Sequence, residues 1–333
     1  MLEVVIVGIG AMGCLFASYL APHANVTMLG HWPEQLRTLQ RGLTLIKPDK
    51  EQLRVDVKIT GDASSITPVA FVLVLVKSYQ TRQAAQEMSA FLRDYGYAIT
   101  LQNGLGNDQA LASQLGANRV VLGSTTEGAT LIETGMVRHA GQGETVLQDV
   151  GRNGSERLRE FTNLLRQAGF RTNLASNVSG LVWEKLVVNA AINPLTALLN
   201  VNNGFLLSSP PARRIARRAA VEAALVARAA GHDVAPDSAS EHAETVARHT
   251  KDNLSSMLQD VRNGRPTELE AITGAVLHFG QANNVPTPVN SALYDLLAAK
   301  LRGENWTRRI ESLAPDLQPL FALLYQEISD ESP

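Results

Sequence analysis

Lys185, Asn189 and Asn193 follow one another at steps of four residues. On an α-helix this spacing stacks three polar side chains along one stripe. Leu186, Val187, Ala190 and Ile192 make the surroundings apolar, so the stripe is expected in a packed setting. An ammonium next to two carboxamides offers both donors and acceptors, which suits an oxygen-rich ligand. The same spacing also describes the solvated face of an ordinary amphipathic helix, and residues 183–194 alone do not separate the two readings.

What precedes the stripe reads as a nucleotide-binding domain. Residues 2–7 are an apolar, β-branched run, Gly8-Ile9-Gly10-Ala11-Met12-Gly13 follows, and residues 14–20 have helical character. This is G-x-G-x-x-G between a strand and a helix. Gly8 permits the tight turn, Gly10 lets the backbone approach a pyrophosphate, and Gly13 allows the helix to pack close to the strand. The helix start then offers N–H groups and a positive dipole end to the phosphates. The next strand, residues 25–29, ends at Gly30-His31-Trp32. An acid there would bind the ribose 2′-hydroxyl of NAD, and an arginine nearby would accept the 2′-phosphate of NADP. Neither is present, and His31 with Arg37 or Arg41 is the available positive charge, which leans the reading to NADP.

Residues 43–46 and 53–59 read as two short strands around Pro48-Asp49, and residues 71–76 as a strand buried on both faces. Lys77 stands just past its end, on the edge where parallel sheets bind ligands. A helix is expected over residues 83–95 and a strand over 97–101. Asn103-Gly104 after that strand is either a ligand-edge segment or a plain turn. A strand over 119–123 comes next. Residues 124–148 read as antiparallel or edge strands added to the sheet, and His139 within them reads as structural or exposed rather than as an acid/base. A helix over 155–168 and a short strand over 170–173 close this part. From residue 178 helical periodicity dominates, first in a long helix carrying the stripe, then over 212–230, 237–249, 254–262, 268–283 and 289–301. The expected division is 1–176 for the dinucleotide domain, 177–303 for a helical substrate and catalytic domain, and 304–333 for a C-terminal extension with no assigned role.

The bulk numbers exclude several classes. A length of 333 residues suits two domains. The apolar share of 45% and charged share of 19% are those of a soluble globular protein. A net charge of −2 gives no bulk attraction to nucleic acid or to an anionic membrane. The single cysteine, Cys14, rules out an internal disulfide, points to a reducing compartment and reads as a small buried side chain. The first residues lack a basic segment and carry Glu3, so no secretory signal is expected there. The longest apolar run, residues 69–76, is far short of a membrane span. No His/Cys/Asp cluster has metal-ligand spacing, so no metal is expected.

Taken together, several residue sets resemble the ketopantoate reductase (2-dehydropantoate 2-reductase) family. They are Gly8-Ile9-Gly10-Ala11-Met12-Gly13, Lys77, Gln102-Asn103-Gly104, Trp183-Glu184-Lys185-Leu186 with Asn189 and Asn193-Pro194-Leu195-Thr196, then Asn203-Gly204, Ser255-Ser256-Met257-Leu258-Gln259-Asp260 and Thr267-Glu268. The resemblance spans residues 4–302. The glycine motif is generic, whereas the Lys/Asn/Asn helix and the spacing from Ser256 to Glu268 are far more specific. The resemblance implies an α/β Rossmann-type N-terminal domain followed by an all-α C-terminal domain like that of 6-phosphogluconate dehydrogenase, with the site in the cleft between them. It implies NADPH-dependent reduction of 2-dehydropantoate to (R)-pantoate in pantothenate and coenzyme A biosynthesis, in the cytoplasm. It makes Lys185 the general acid. Asn189, Asn193, Asn203 and Ser256, with Lys185, match substrate contacts. The glycine loop, Lys77, Asn103, Ala129 and Glu268 match NADP contacts. His31 stands where the family usually has an arginine. The partner is then a small 2-oxo acid, with no nucleic acid or membrane, and a homodimer is a further expectation. Two alternatives stay open: reduction of a different 2-oxo acid, and a non-catalytic NADP-binding regulator, which would have lost residues that are present here.

Overall fold

The computed structural model describes residues 1–151 and 155–330, and they divide into two units. Unit 1 holds Met1–Gln102 and Gly106–Val178, and unit 2 holds Asn103–Leu105 and Ser179–Pro333.

The described residues of unit 1 form twelve strands: β1 Leu2–Val7, β2 Ala24–Leu29, β3 Leu43–Ile46, β4 Gln52–Val55, β5 Lys58–Thr60, β6 Val69–Val74, β7 Leu92–Thr100, β8 Val120–Thr125, β9 Gly128–Glu133, β10 Met136–Gly141, β11 Thr145–Gln148 and β12 Thr172–Ala175. Eight form a sheet in the order β12-β11-β8-β7-β6-β1-β2-β5, parallel except where β11 meets β8. Because β1 is buried on both sides, its side chains alternate between two cores. Val4 and Ile6 join one, with α1 (Ala11–Leu20) and α5 (Ser155–Gln167), and Val5 and Val7 join the other, with α3 (Thr81–Met88) and α4 (Asn107–Leu115). The chain leaves β1 for β2 on one side and reaches β6 on the other. β1 is therefore the switch point, outside whose carboxyl end such sheets bind ligands.

Three sequence expectations are corrected here. The strand expected over 53–59 is two strands in two sheets: β4 pairs with β3, and β5 pairs with β2. A single straight strand cannot serve both sheets, so the chain breaks at Asp56-Val57. The helix expected over 83–95 ends at Met88, because β6 takes residues from Leu92 onward as its parallel neighbour. Strand pairing overrides local helical preference there. Finally, β9 and β10 do not extend the main sheet. They form a second sheet, β4-β3-β10-β9, which packs on α1.

Unit 2 is helical. Its core helix is α6, Val178–Leu199, followed by α7 Phe205–Ser208, α8 Pro210–Ala229, α9 Pro236–His249, α10 Ser256–Arg262, α11 Ala275–Ala282, α12 Pro288–Leu301 and α13 Gln318–Asp330. A π-turn, Glu270–Gly274, opens the helix expected over 268–283. Residues 304–330 are not an appendage: Ile310, Leu317, Leu320, Phe321 and Leu324 are buried in the core shared with α6, α8 and α12. Arg218 on α8 pairs with Asp316 at 2.8 Å, and Ser209 donates to Glu327. The last three residues, 331–333, lie outside the described ones.

The C-terminal end of α6 is held by a half-buried cation. Lys300 donates from Nζ to the carbonyls of Ala197 (3.0 Å) and Leu198 (2.7 Å), which have no helical partners. Burial lowers the pKa of this lysine. Lys300→Met keeps the stem and removes both bonds. It is expected to lower stability by about 1.5–3 kcal/mol, the range for hydrogen bonds to charged groups. Denaturant melts check this, and an unchanged midpoint would refute the capping role.

Candidate active site

In unit 1 the glycine loop sits at the carboxyl end of β1. Gly10 is the N-cap of α1, with no side-chain cap and no acid in the first turn. A Cβ built on Gly10 would meet nothing within 4 Å, so the amides of the helix start face open space. Gly13 is the opposite case: a Cβ there would lie 1.8 Å from the Gly8 carbonyl oxygen. Helix and strand touch only because position 13 has no side chain. Between these glycines Ile9 is buried, while Ala11 and Met12 are partly exposed. A free helix N-terminus with a clear approach and no competing acid fits a dinucleotide pyrophosphate. Lys77, half-buried, follows β6 at the carboxyl edge of the main sheet, whereas Ala129 is the second residue of β9 and pairs with His139 in the second sheet.

His31 stands past the end of β2 and is exposed. Its Nε2 lies 2.9 Å from a carboxylate oxygen of Glu87 on α3. The positive charge expected for a 2′-phosphate thus has an acidic partner that the sequence did not reveal. Two other side chains prove structural. Cys14 is fully buried, accepts a hydrogen bond from Gln35, and burial pushes its thiol up to about 12, so it is inert. His139 is buried between Glu127 (2.7 Å) and Tyr19 Oη (3.0 Å), beneath the second sheet.

In unit 2 the stripe lies on α6. Lys185 is half-buried, and the protein around it desolvates the ammonium, lowering its pKa from 10.5 to about 8. The Glu268 carboxylate opposes that fall. Glu268 is buried just ahead of the π-turn, and Asn103 Nδ2 donates to its Oε2 at 3.3 Å. The structure therefore assembles Lys185, Glu268 and Asn103 from three distant stretches of chain. Asn189 is half-buried and Asn193 buried; among the described residues neither commits its side-chain amide to a hydrogen bond. Pro194 has no N–H for the carbonyl four residues back, in the turn that carries Asn193.

Asn203 lies in the loop after α6, and Ser256 is the first residue of α10. Asn203 Nδ2 donates to Thr250 Oγ1 at 2.9 Å, while its Oδ1 is buried with no partner, an acceptor suited to a ligand hydroxyl. Ser255 and Ser256 look alike in sequence but differ in place. Ser255 caps α10, accepting from Leu258 N and from Thr196 Oγ1 of α6, whereas Ser256, one residue on, remains half-exposed. Sequence reasoning missed the Thr196–Ser255 tie and the π-turn. The doubled serine after a helix-ending loop was the available signal for the first. Nothing local signals the second.

A dinucleotide cradle and a side chain with a proton to give near neutral pH belong together in nicotinamide-dependent oxidoreductases, and the chain is of that class. The model of the ketopantoate reductase PanE/ApbA family matches residues 4–152, and the model of its C-terminal domain matches residues 177–301. The chain belongs to the ketopantoate reductase family. It is 38% identical over 298 residues to a 2-dehydropantoate 2-reductase of Halobacterium salinarum, covering 89% of this chain and 98% of that one. Among solved structures, a PanE/ApbA family ketopantoate reductase from Ralstonia eutropha superposes with a TM-score of 0.83 at 28% identity, over 91% of this chain and 99% of that one. A dimeric ketopantoate reductase from Staphylococcus aureus shares the fold, with a TM-score of 0.76 at 22% identity, over 91% of this chain and all of that one. No helix among the described residues is long and apolar enough to cross a membrane.

Proposed function

We propose that this chain reduces 2-dehydropantoate to (R)-pantoate with NADPH, on the route to pantothenate and coenzyme A. The observation that carries the reading is a lysine of pKa about 8 sharing one helical unit with the Glu268–Asn103 pair. Bound NADPH supplies the hydride that goes to the 2-oxo carbon. Lys185, protonated below about 8, stabilises the charge that develops on the carbonyl oxygen and hands its proton to it. Asn189, Asn193 and Asn203 hold the substrate's hydroxyl and carboxylate, and Ser256 adds a donor to the carboxylate. The loop from Gly8 to Gly13 takes the pyrophosphate on the α1 amides, with Lys77, Asn103, Ala129 and Glu268 as further cofactor contacts. His31 supplies the positive charge toward the 2′-phosphate, and Glu87 competes for it. A homodimer and a cytoplasmic location belong to the same reading. The first is supported by the dimeric S. aureus protein of this fold, and light scattering of the purified chain checks it.

The test follows NADPH and NADH oxidation with ketopantoate beside other branched and linear 2-oxo acids. Ketopantoate is expected to have the highest kcat/KM, and NADPH to be preferred. Glu87→Gln should widen the preference for NADPH by removing the charge that opposes a phosphate. A higher kcat/KM for another 2-oxo acid reassigns the substrate, and equal values for the two cofactors remove the 2′-phosphate role of His31.

A further inference from the structure

The segment Asn103–Leu105 is counted with the helical unit, although the chain on both sides of it belongs to unit 1. Its hold there has an identifiable chemical basis. Across the π-turn Glu270–Gly274 the helical ladder is out of register: Ala275 N–H bonds to Ile272 O rather than to Ala271 O. The Ala271 carbonyl, released from its α-helical partner, accepts Leu105 N–H at 3.0 Å. Gly104 makes the approach possible. It has a φ of +82°, and a Cβ at that position would lie 2.5 Å from Ala271 O and 2.7 Å from Ala271 Cβ. One residue earlier, Asn103 Nδ2 reaches Glu268 Oε2. The Glu268 carbonyl in turn accepts Ile272 N–H at 3.0 Å, so the backbone that carries the carboxylate is tied to the turn. Tyr294 of α12 donates to Glu270 Oε1 and pins the first residue of the turn. Irregular helical turns of this kind are uncommon and recur at functional sites.

We propose that the π-turn is a receptor for the Asn103–Leu105 segment, and that Gly104 is a positioning residue for Lys185. By closing the segment onto Ala271 it holds the Asn103 amide on Glu268, and so fixes the carboxylate that acts on the lysine. The inference rests on the reading of Lys185 as proton donor. The Glu268 carboxylate acts on Lys185 and raises the lysine's proton affinity against desolvation. A carboxylate that loses the Asn103 amide is less well placed against the ammonium, and its support of the lysine's charged form weakens.

Acetylation of the full chain by acetic anhydride across a pH series, read at the Lys185 peptide by mass spectrometry, reports the lysine's ionisation without any turnover. The midpoint for the wild-type chain is expected at about 8. Gly104→Ala is expected to move it down by about half a unit or more, the direction of a lost counter-charge. Asn103→Ala removes the amide and leaves the Leu105–Ala271 bond, so it keeps the test open should Gly104→Ala fail to fold. A downward shift in folded Asn103→Ala supports the proposal. A lower melting temperature with an unmoved midpoint means that the segment is merely structural and overturns it. Absence of ketopantoate reduction by the wild-type chain, with the labelling shift intact, would instead overturn the functional reading and leave the positioning role standing.

Discussion

Lys185→Ala is expected to lower kcat by on order of 10²–10⁴, the usual contribution of a positioned general acid, and to leave NADPH binding nearly unchanged. The effect falls on kcat because the ammonium matters most when charge has built up on the carbonyl oxygen, and that charge exists only near the transition state. Cofactor binding is expected to be spared because the Gly8–Gly13 loop, proposed to take the pyrophosphate, belongs to unit 1, whereas Lys185 belongs to unit 2. Wild-type turnover in this variant would end the assignment of Lys185 as proton donor. The pH profile supplies the sign. The acid must be protonated, so kcat/KM should be level below its pKa and fall about tenfold per unit above it. With the pKa lowered to about 8 by burial, the falling limb starts there instead of near 10.5. Glu268→Gln removes the charge that opposes the fall, so its limb should move to still lower pH. A limb that stays level to pH 10 would mean that the ammonium is not desolvated in solution.

Ending the chain at Gly303 is expected to abolish soluble, folded protein or to lower its melting temperature by more than 10 °C. Leu317, Leu320, Phe321 and Leu324 are at most 6% exposed, within the core that contains α6 and α8. Each such side chain contributes about 1.5–3 kcal/mol by burial. Four together approach the whole stability of an ordinary domain, about 5–15 kcal/mol. Phe321→Ala is the milder form, with an expected cost of about 3–5 kcal/mol for an emptied aromatic site. Thermal melts of both variants decide the matter. A truncated chain that melts with the wild type would show that the extension is dispensable to the core it fills. The match to the family model stops at residue 301, and the helical core of this chain also takes in side chains beyond that point.

Much of the scaffold was legible because the signals for it are local. A β-branched run, three glycines at set intervals and an apolar helix start specify a strand–turn–helix whatever surrounds them, and β1 and α1 follow that pattern. The four-residue steps from Lys185 to Asn193 put the three side chains on one face of one helix, and α6 is that helix. Composition and the single cysteine likewise act through chemistry that does not depend on fold.

Other features depended on partners that are distant in sequence. Strands β3 and β4 read like the rest, yet they join β10 and β9 in a second sheet, because α1 had an apolar face still to be covered. Glu87 is 56 residues from His31 and meets it only after β2 and α3 are in place. The stripe began with two readings, a ligand grip or a solvated face. The stripe's own residues could not choose, because burial of Lys185 and the approach of Glu268 are properties of the packed unit. The sequence by itself thus determined the glycine loop between β1 and α1, the helix carrying Lys185, Asn189 and Asn193, and the family. Only the tertiary structure decided what stands beside the lysine, which lowers its pKa, and which carbonyl of the π-turn holds Asn103 in reach of Glu268. Periodicity and motif are encoded within a few residues, whereas desolvation and counter-charge arise only when segments far apart in the chain exclude water together.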